Sequence, residues 1–314
     1  MSAEFEFRYQ GIFQDWRMSS YMITGGFFEH DRNILRLHDA CMRRGLGFYI
    51  DALFGGQPCA WHAGRIVRKV MDDAALERHM HEYLDAYTER GIAVRLTMSN
   101  PHITPEELRD ARSSLMLDIL AEHDAGRGLH GVILSSDILR DHIRNRHPSL
   151  RLTASVIKTA YAHPAFTDDQ AWYEELAERY DLVVLRSDRV IQRDWLAKLR
   201  KKDRMELMLS SGCVLNCPMR VRHYDLILET DRSSGDKPGS EELRKLVQTC
   251  MHRRRNEATI HVNTDDLREL HDLGFSHFKI PSRTMDWVRW LNATAKYIVQ
   301  PGKLLEHYFG LSNW

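Results

Sequence analysis

Residues 210–225 read SSGCVLNCPMRVRHYD, and they put two thiols, Cys213 and Cys217, in one short turn followed by Pro218, Arg220, Arg222 and His223. Deprotonated cysteine is a soft ligand for zinc and iron, and nearby cationic groups favour the thiolate. A third cysteine, Cys250, ends the helical pattern SEELRKLVQTC. Three sulfurs at one place suit an iron–sulfur cluster, with one iron left for another ligand or for a substrate. They also suit a zinc site closed by His223 or His252. A third reading is a reduced pair in a loop with Cys250 as a core thiol. The CxxxC spacing alone recurs by chance, and position 220 is arginine where a three-cysteine CxxxCxxC run would need another thiol.

Further polar groups follow apolar runs. The loop FGGQPCAWHAGR offers Gly55 and Gly56, whose backbone can approach an anion, Trp61 as a pocket wall, and Arg65 to grip a carboxylate in bidentate fashion. The same loop also reads as a turn with an aromatic plug. FKIPSR carries Lys279 and Arg283, two cations at the last apolar run. His261 is a candidate proton donor with Asn263 beside it, and also a plain hydrogen-bonded strand residue. Asn100 and His102, in SNPHITPEEL, suit either substrate contact or the start of a helix. The reading takes His261 and Lys279 as catalytic candidates, and Arg65, Trp61, Asn100 and Arg283 as substrate-binding candidates.

These groups need a scaffold. Eight apolar runs recur, at 47–54, 92–98, 131–136, 152–157, 182–187, 206–211, 258–262 and 277–282, separated by amphipathic stretches such as DDAALERHMHEYLDAYTERG. Runs that are apolar on both faces fit parallel strands, and the alternation with helical patterns predicts a (β/α)8 TIM barrel, an α/β fold. An open doubly wound sheet is the competing arrangement. The predicted organisation is a single domain, with residues 1–30 as an N-terminal capping segment and 31–314 as the barrel with its C-terminal tail. The C-terminal strand ends would then carry Asp51, Asn100, Ser135 with Asp137, Ser155 with Lys158, and Arg186 with Ser187.

Composition excludes several functions. Lys plus Arg and Asp plus Glu are 44 each, so no overall field attracts nucleic acid or an anionic membrane. MHRRRNE and KLRKKDR are short basic clusters of ordinary surface type, which makes nucleic acid an unlikely partner. No run is long enough to cross a bilayer, and MSAEFEFRYQ lacks the pattern of a signal peptide. The expectation is a soluble cytoplasmic protein. Five cysteines, an odd number, do not make a disulfide framework. Most of the 17 histidines lie beside charges in helical patterns and read as surface.

LSSGCVLNCPMRVRHYDL, then Cys250, then IHVNTDDLRELHDLGFSHFKIPSRT resembles the second half of the collagenase-like peptidase family, which includes the tRNA-hydroxylation and ubiquinone-hydroxylation proteins. The shared pattern is a Gly-Cys turn, a Cys-Pro with basic residues, a further cysteine, and an ending of the form dL..l..lG...fKi..R. It falls here on Cys213, Cys217 with Pro218, Cys250, and Leu267 through Arg283, so it covers mainly residues 180–300. The resemblance implies a TIM barrel with a [4Fe–4S] cluster and oxygen-independent hydroxylation of a small polar, anionic metabolite, with an electron donor or protein partner. The family pattern has four cysteines and the matching region has three; Cys59 is the candidate fourth, with a packed thiol as its other reading, and Cys41 reads as core. The family's name implies the alternative of a zinc- or metal-dependent hydrolase, though no GxSxG or HExxH motif is present. Its heteromeric members imply another, a non-catalytic iron–sulfur partner subunit.

Overall fold

The computed structural model describes residues 20–24, 26–43, 45, 48, 50–63, 70–162, 169–232 and 240–281, and residues 286, 287, 290, 291, 294 and 297 of the C-terminal segment. The strands among them are β1 (Ser20–Thr24), β2 (Ala52–Gly55), β3 (Ala93–Met98), β4 (Gly131–Leu134), β5 (Arg151–Ala154), β6 (Leu182–Val184), β7 (Met205–Met208), β8 (Ser210–Val214), β9 (Thr259–His261) and β10 (His277–Ile280). Strands β1 to β7 and β10 hydrogen-bond in parallel around a closed barrel, while β8 and β9 form a separate antiparallel pair.

The barrel follows from period-two side-chain placement in strands that are buried on both faces. Leu53, Val94, Leu96, Val132, Leu134, Leu152, Val183, Leu207 and Phe278 join the large core between the strands and the surrounding helices. The alternate positions Ala52, Phe54, Ala93 and Ile133 form a second, smaller apolar cluster on the lumen side of the strands. Arg95, Glu206 and Lys279 occupy the same alternate face and are also buried.

The helices are α1 (Asp31–Arg43), α2 (Asp73–Glu89), α3 (Ala111–Asp124), α4 (Asp137–Arg146), α5 (Val156–Ala162), α6 (Gln170–Arg179), α7 (Arg193–Ala197), α8 (Arg220–Arg232), α9 (Ser240–Asn256) and α10 (Thr264–Asp272). Local chemistry sets several starts. The Asp72 carboxylate accepts from Ala75 N–H and the Ser136 hydroxyl accepts from Leu139 N–H. Thr104 and Glu107 cap each other reciprocally, yet they head only a 3-10 turn, Glu107–Arg109. The α-helix begins later because Asp110 accepts from both the backbone and the hydroxyl of Ser113.

Three expectations about the barrel are corrected. Ser20–Thr24 lies inside the segment expected to cap the barrel, but it pairs with both β2 and β10 as a barrel strand. The run at 258–262 is not a barrel strand: β9 pairs with β8 outside the ring. The chain leaves the barrel at Leu209, whose N–H donates to Lys279 O while its carbonyl accepts from Val262 N–H. The run at 206–211 is therefore divided between a barrel strand and the two-stranded antiparallel sheet. Alternation along β9, with Thr259 and His261 exposed and Ile260 buried, is the pattern of a half-solvated antiparallel strand. Asp51 precedes β2 and so lies at the opposite end of the barrel from that expected.

A Cβ at Gly131 would collide with the backbone carbonyl of Arg151 on the neighbouring strand. Gly131→Ala should lower stability by ~1–3 kcal/mol through overpacking, seen as a lower urea midpoint with the far-UV spectrum of the folded protein retained.

Candidate functional site

The cysteine turn is anchored by one buried carboxylate. Asp188 follows β6 and is fully buried. Its Oδ2 accepts from Arg186 Nε at 2.8 Å, its Oδ1 accepts from Arg220 Nη2 at 2.8 Å, and Asn216 N–H lies 3.3 Å from Oδ1. Arg220 Nη2 also donates to Val214 O at 3.3 Å. Burial alone would raise the Asp188 carboxyl, but Arg220 and then Arg186 outweigh it and hold the group below the usual carboxylate range. The turn between Cys213 and Cys217 is thus fixed at both sides to the barrel rim. Asn216 completes it in the left-handed region, with φ of 52°, a conformation that asparagine tolerates better than most residues.

Cys217 is buried, and Arg253 Nη1 on α9 lies 3.6 Å from its sulfur. Cys250, one turn earlier on α9, is half-buried. Its thiol is raised by burial and by the charges of Cys217 and Cys213, while Arg253 and Arg254 act in the opposite direction. The three sulfurs therefore share one electrostatic neighbourhood, with two guanidinium groups in it. As a donor set this suits a thiolate-bound metal or cluster. Among the described residues, however, no group of three or more His, Cys, Asp and Glu side chains is positioned to hold a metal ion. Binding would have to draw the sulfurs together, as metal binding and local folding commonly do.

The remaining predicted residues have separate places. Cys59 is held by Ser113 and the backbone of Trp61 and His62 near the start of α3, and desolvation raises its thiol. Trp61 is fully buried and donates its indole N–H to Glu107 O at 2.7 Å, so it is core rather than pocket wall. Asn100 is also fully buried: its amide donates to Ala60 O and its carbonyl oxygen accepts from His102 N–H, which staples two loops together. His261 is exposed on β9 opposite Ser210, off the barrel strand expected to carry it. Arg65 and Arg283 lie outside the described residues. Lys279 is buried in the lumen, 3.9 Å from Glu206.

Sequence reasoning passed over Asp188, Arg253 and Glu206. The dense charge of RSDR directly after the apolar LVVL was the available signal for the first. A second link at the rim joins Asp225 on α8 to Tyr161 on α5 and to His102, whose Nε2 is 3.1 Å away.

Two outcomes follow. Asp188→Asn leaves Arg186 and Arg220 without their shared carboxylate and should cost ~3–5 kcal/mol, measured by urea unfolding, with faster reaction of Cys217 with a thiol reagent. The Asp188 contribution is present above the unfolded carboxyl pKa and disappears as pH falls through its lower folded value. Burial acts the other way on Glu206 and pushes it up to about 7 from an ordinary 4.5. The folded chain then holds that proton more tightly than the unfolded chain, so this group makes stability fall as pH rises across that window. Urea midpoints over the same range should show a shallower fall in Glu206→Gln.

No protein-family model matches the sequence, and no curated protein matches it. Among solved structures the fold is similar to that of the U32 peptidase Mk0906, a collagenase-like peptidase, with a TM-score of 0.50 and 11% sequence identity over 85% of this chain and 94% of that one. At that identity the likeness is one of fold. No helix among the described residues is long and apolar enough to cross a membrane.

Proposed function

We propose that this chain is a TIM-barrel enzyme of the collagenase-like type that holds an iron–sulfur cluster on Cys213, Cys217 and Cys250 and carries out oxidoreductive, hydroxylation-type chemistry on a small polar metabolite. The observation that carries the reading is the common neighbourhood of the three thiols, with Arg253 3.6 Å from Cys217. A cluster bound there would supply redox or Lewis-acid chemistry. The guanidinium groups of Arg253 and Arg254 would offset the negative charge of the ligating thiolates, and Asp188 would keep the turn in register through Arg220 and Asn216. Arg65 and Arg283 remain the proposed grips for an anionic part of the substrate. The similarity in fold to a U32 peptidase supports the barrel frame of this reading.

The test is a metal and sulfide count on protein prepared without oxygen. The expected result is about four iron and four sulfide per chain with a visible charge-transfer band. Cys213→Ser and Cys217→Ser should each lose most of the iron, whereas Cys59→Ser separates a fourth ligand from a packed thiol. Stoichiometric zinc without iron would replace this reading by the metal-dependent hydrolase. A full cluster in a chain that reacts only alongside a second protein would make it the partner subunit.

A further inference from the structure

The barrel interior pairs an amine with a carboxyl group that the cysteine site does not require. Lys279 Nζ lies 3.9 Å from Glu206 Oε2 and 3.8 Å from the centre of the Phe54 ring. Lys279 is 5% exposed and Glu206 1%. Apolar Ala52, Phe54, Ala93 and Ile133 occupy the same lumen. Among the described residues Glu206 Oε2 has no hydrogen-bond partner, an unusual state for a buried carboxyl oxygen and one that a bound polar atom would relieve. The two strands are adjacent and parallel, with His277 opposite Glu206 and Lys279 opposite Met208. Lys279 thus stands one step nearer the C-terminal mouth, the end at which barrels of this kind present reactive groups.

In water the pair would be an ammonium and a carboxylate. In this lumen both charges lose hydration, which favours moving the proton from nitrogen to oxygen, while Arg95 on the same face acts to keep Glu206 ionised. The neutral amine and neutral acid reached by that transfer are the two species that imine formation needs, since a desolvated lysine is the usual amine nucleophile toward carbonyl compounds. We propose that Lys279 forms an imine with a small aldehyde or ketone, with Glu206 as the proton donor. The Nζ lone pair adds to the carbonyl carbon, and one of the two nitrogen protons passes to the oxygen to give the hydroxyl of a carbinolamine. Glu206 then protonates that hydroxyl, the C–O bond breaks, water leaves, and nitrogen returns its remaining proton to the Glu206 carboxylate as the C=N bond forms. Amine plus carbonyl compound gives imine plus one water, with no oxidant or reductant consumed. The site is independent of whether the thiols bind iron.

Two carbonyl probes test this on the whole chain: acetylacetone alone, and pyruvate followed by borohydride, each read by peptide mass mapping. Lys279 should be modified in preference to exposed lysines such as Lys245. The modification should vanish in Lys279→Arg, which keeps a cation beside Glu206 but forms no imine, with circular dichroism confirming its fold. Glu206→Gln should slow labelling by about tenfold or more, as expected for loss of a positioned acid. Cys217→Ser should label like the native chain, which keeps this outcome separate from that of the iron count. Labelling of Lys279 by both probes no faster than that of Lys245, or equal labelling in Glu206→Gln, would overturn the assignment.

Discussion

The Asp188 carboxylate is the constraint on which the rim of this protein depends. It is fully removed from water and shared by two buried guanidinium groups, one from its own turn after β6 and one from the start of α8. A buried charge persists only if its partners saturate it, and here those partners belong to different parts of the chain. Through them the 3-10 turn after β6, the cysteine turn and α8 act as one piece. The antiparallel pair β8–β9 and helix α9, which brings Cys250 and Arg253, are then built onto a fixed edge.

The lumen obeys a different rule. Its lining is mostly small or apolar, and the few ionisable groups it contains are separated from bulk water. Arg95 is lowered to about 10 by burial even with Asp51 and Glu206 acting to raise it. Glu206 moves up and Arg95 moves down for the same reason, because the charged form of each is the one that loses hydration. At the rim, by contrast, full pairing lets a buried carboxylate keep its charge. One barrel therefore holds a fully paired carboxylate at its edge and, inside, groups whose charged forms burial disfavours.

Much of this architecture was legible in the residues. Apolar runs such as IAVRLTM and GVILSS became barrel strands within a residue or two, because two-faced burial leaves an uninterrupted apolar signature. That Cys213 and Cys217 share one short turn was readable from their spacing, and that Cys250 lies on a helix from the pattern SEELRKLVQTC. Ser20–Thr24 was not, since SYMIT is short and polar at both ends, and only its neighbours β2 and β10 make it a strand. Trp61 and Asn100 have types that serve binding sites and cores alike; what decided them was a carbonyl from a distant loop, Glu107 O in one case and Ala60 O in the other. Asp188 escaped notice because its importance lies in Arg220, a residue 32 positions away.

Closure by β1 has a consequence for how the chain reaches this state. The ring is completed by Ser20 meeting His277 and Met22 meeting Lys279, contacts between opposite ends of the described chain. Contacts of such long range are entropically late. Until the last strand docks, β1 and β7 present unpaired edges, the kind of template on which nascent or refolding chains join one another. Crowding during synthesis is therefore the moment of greatest hazard for this protein, and a holdase that shields strand edges would help it more than one that only covers apolar helices.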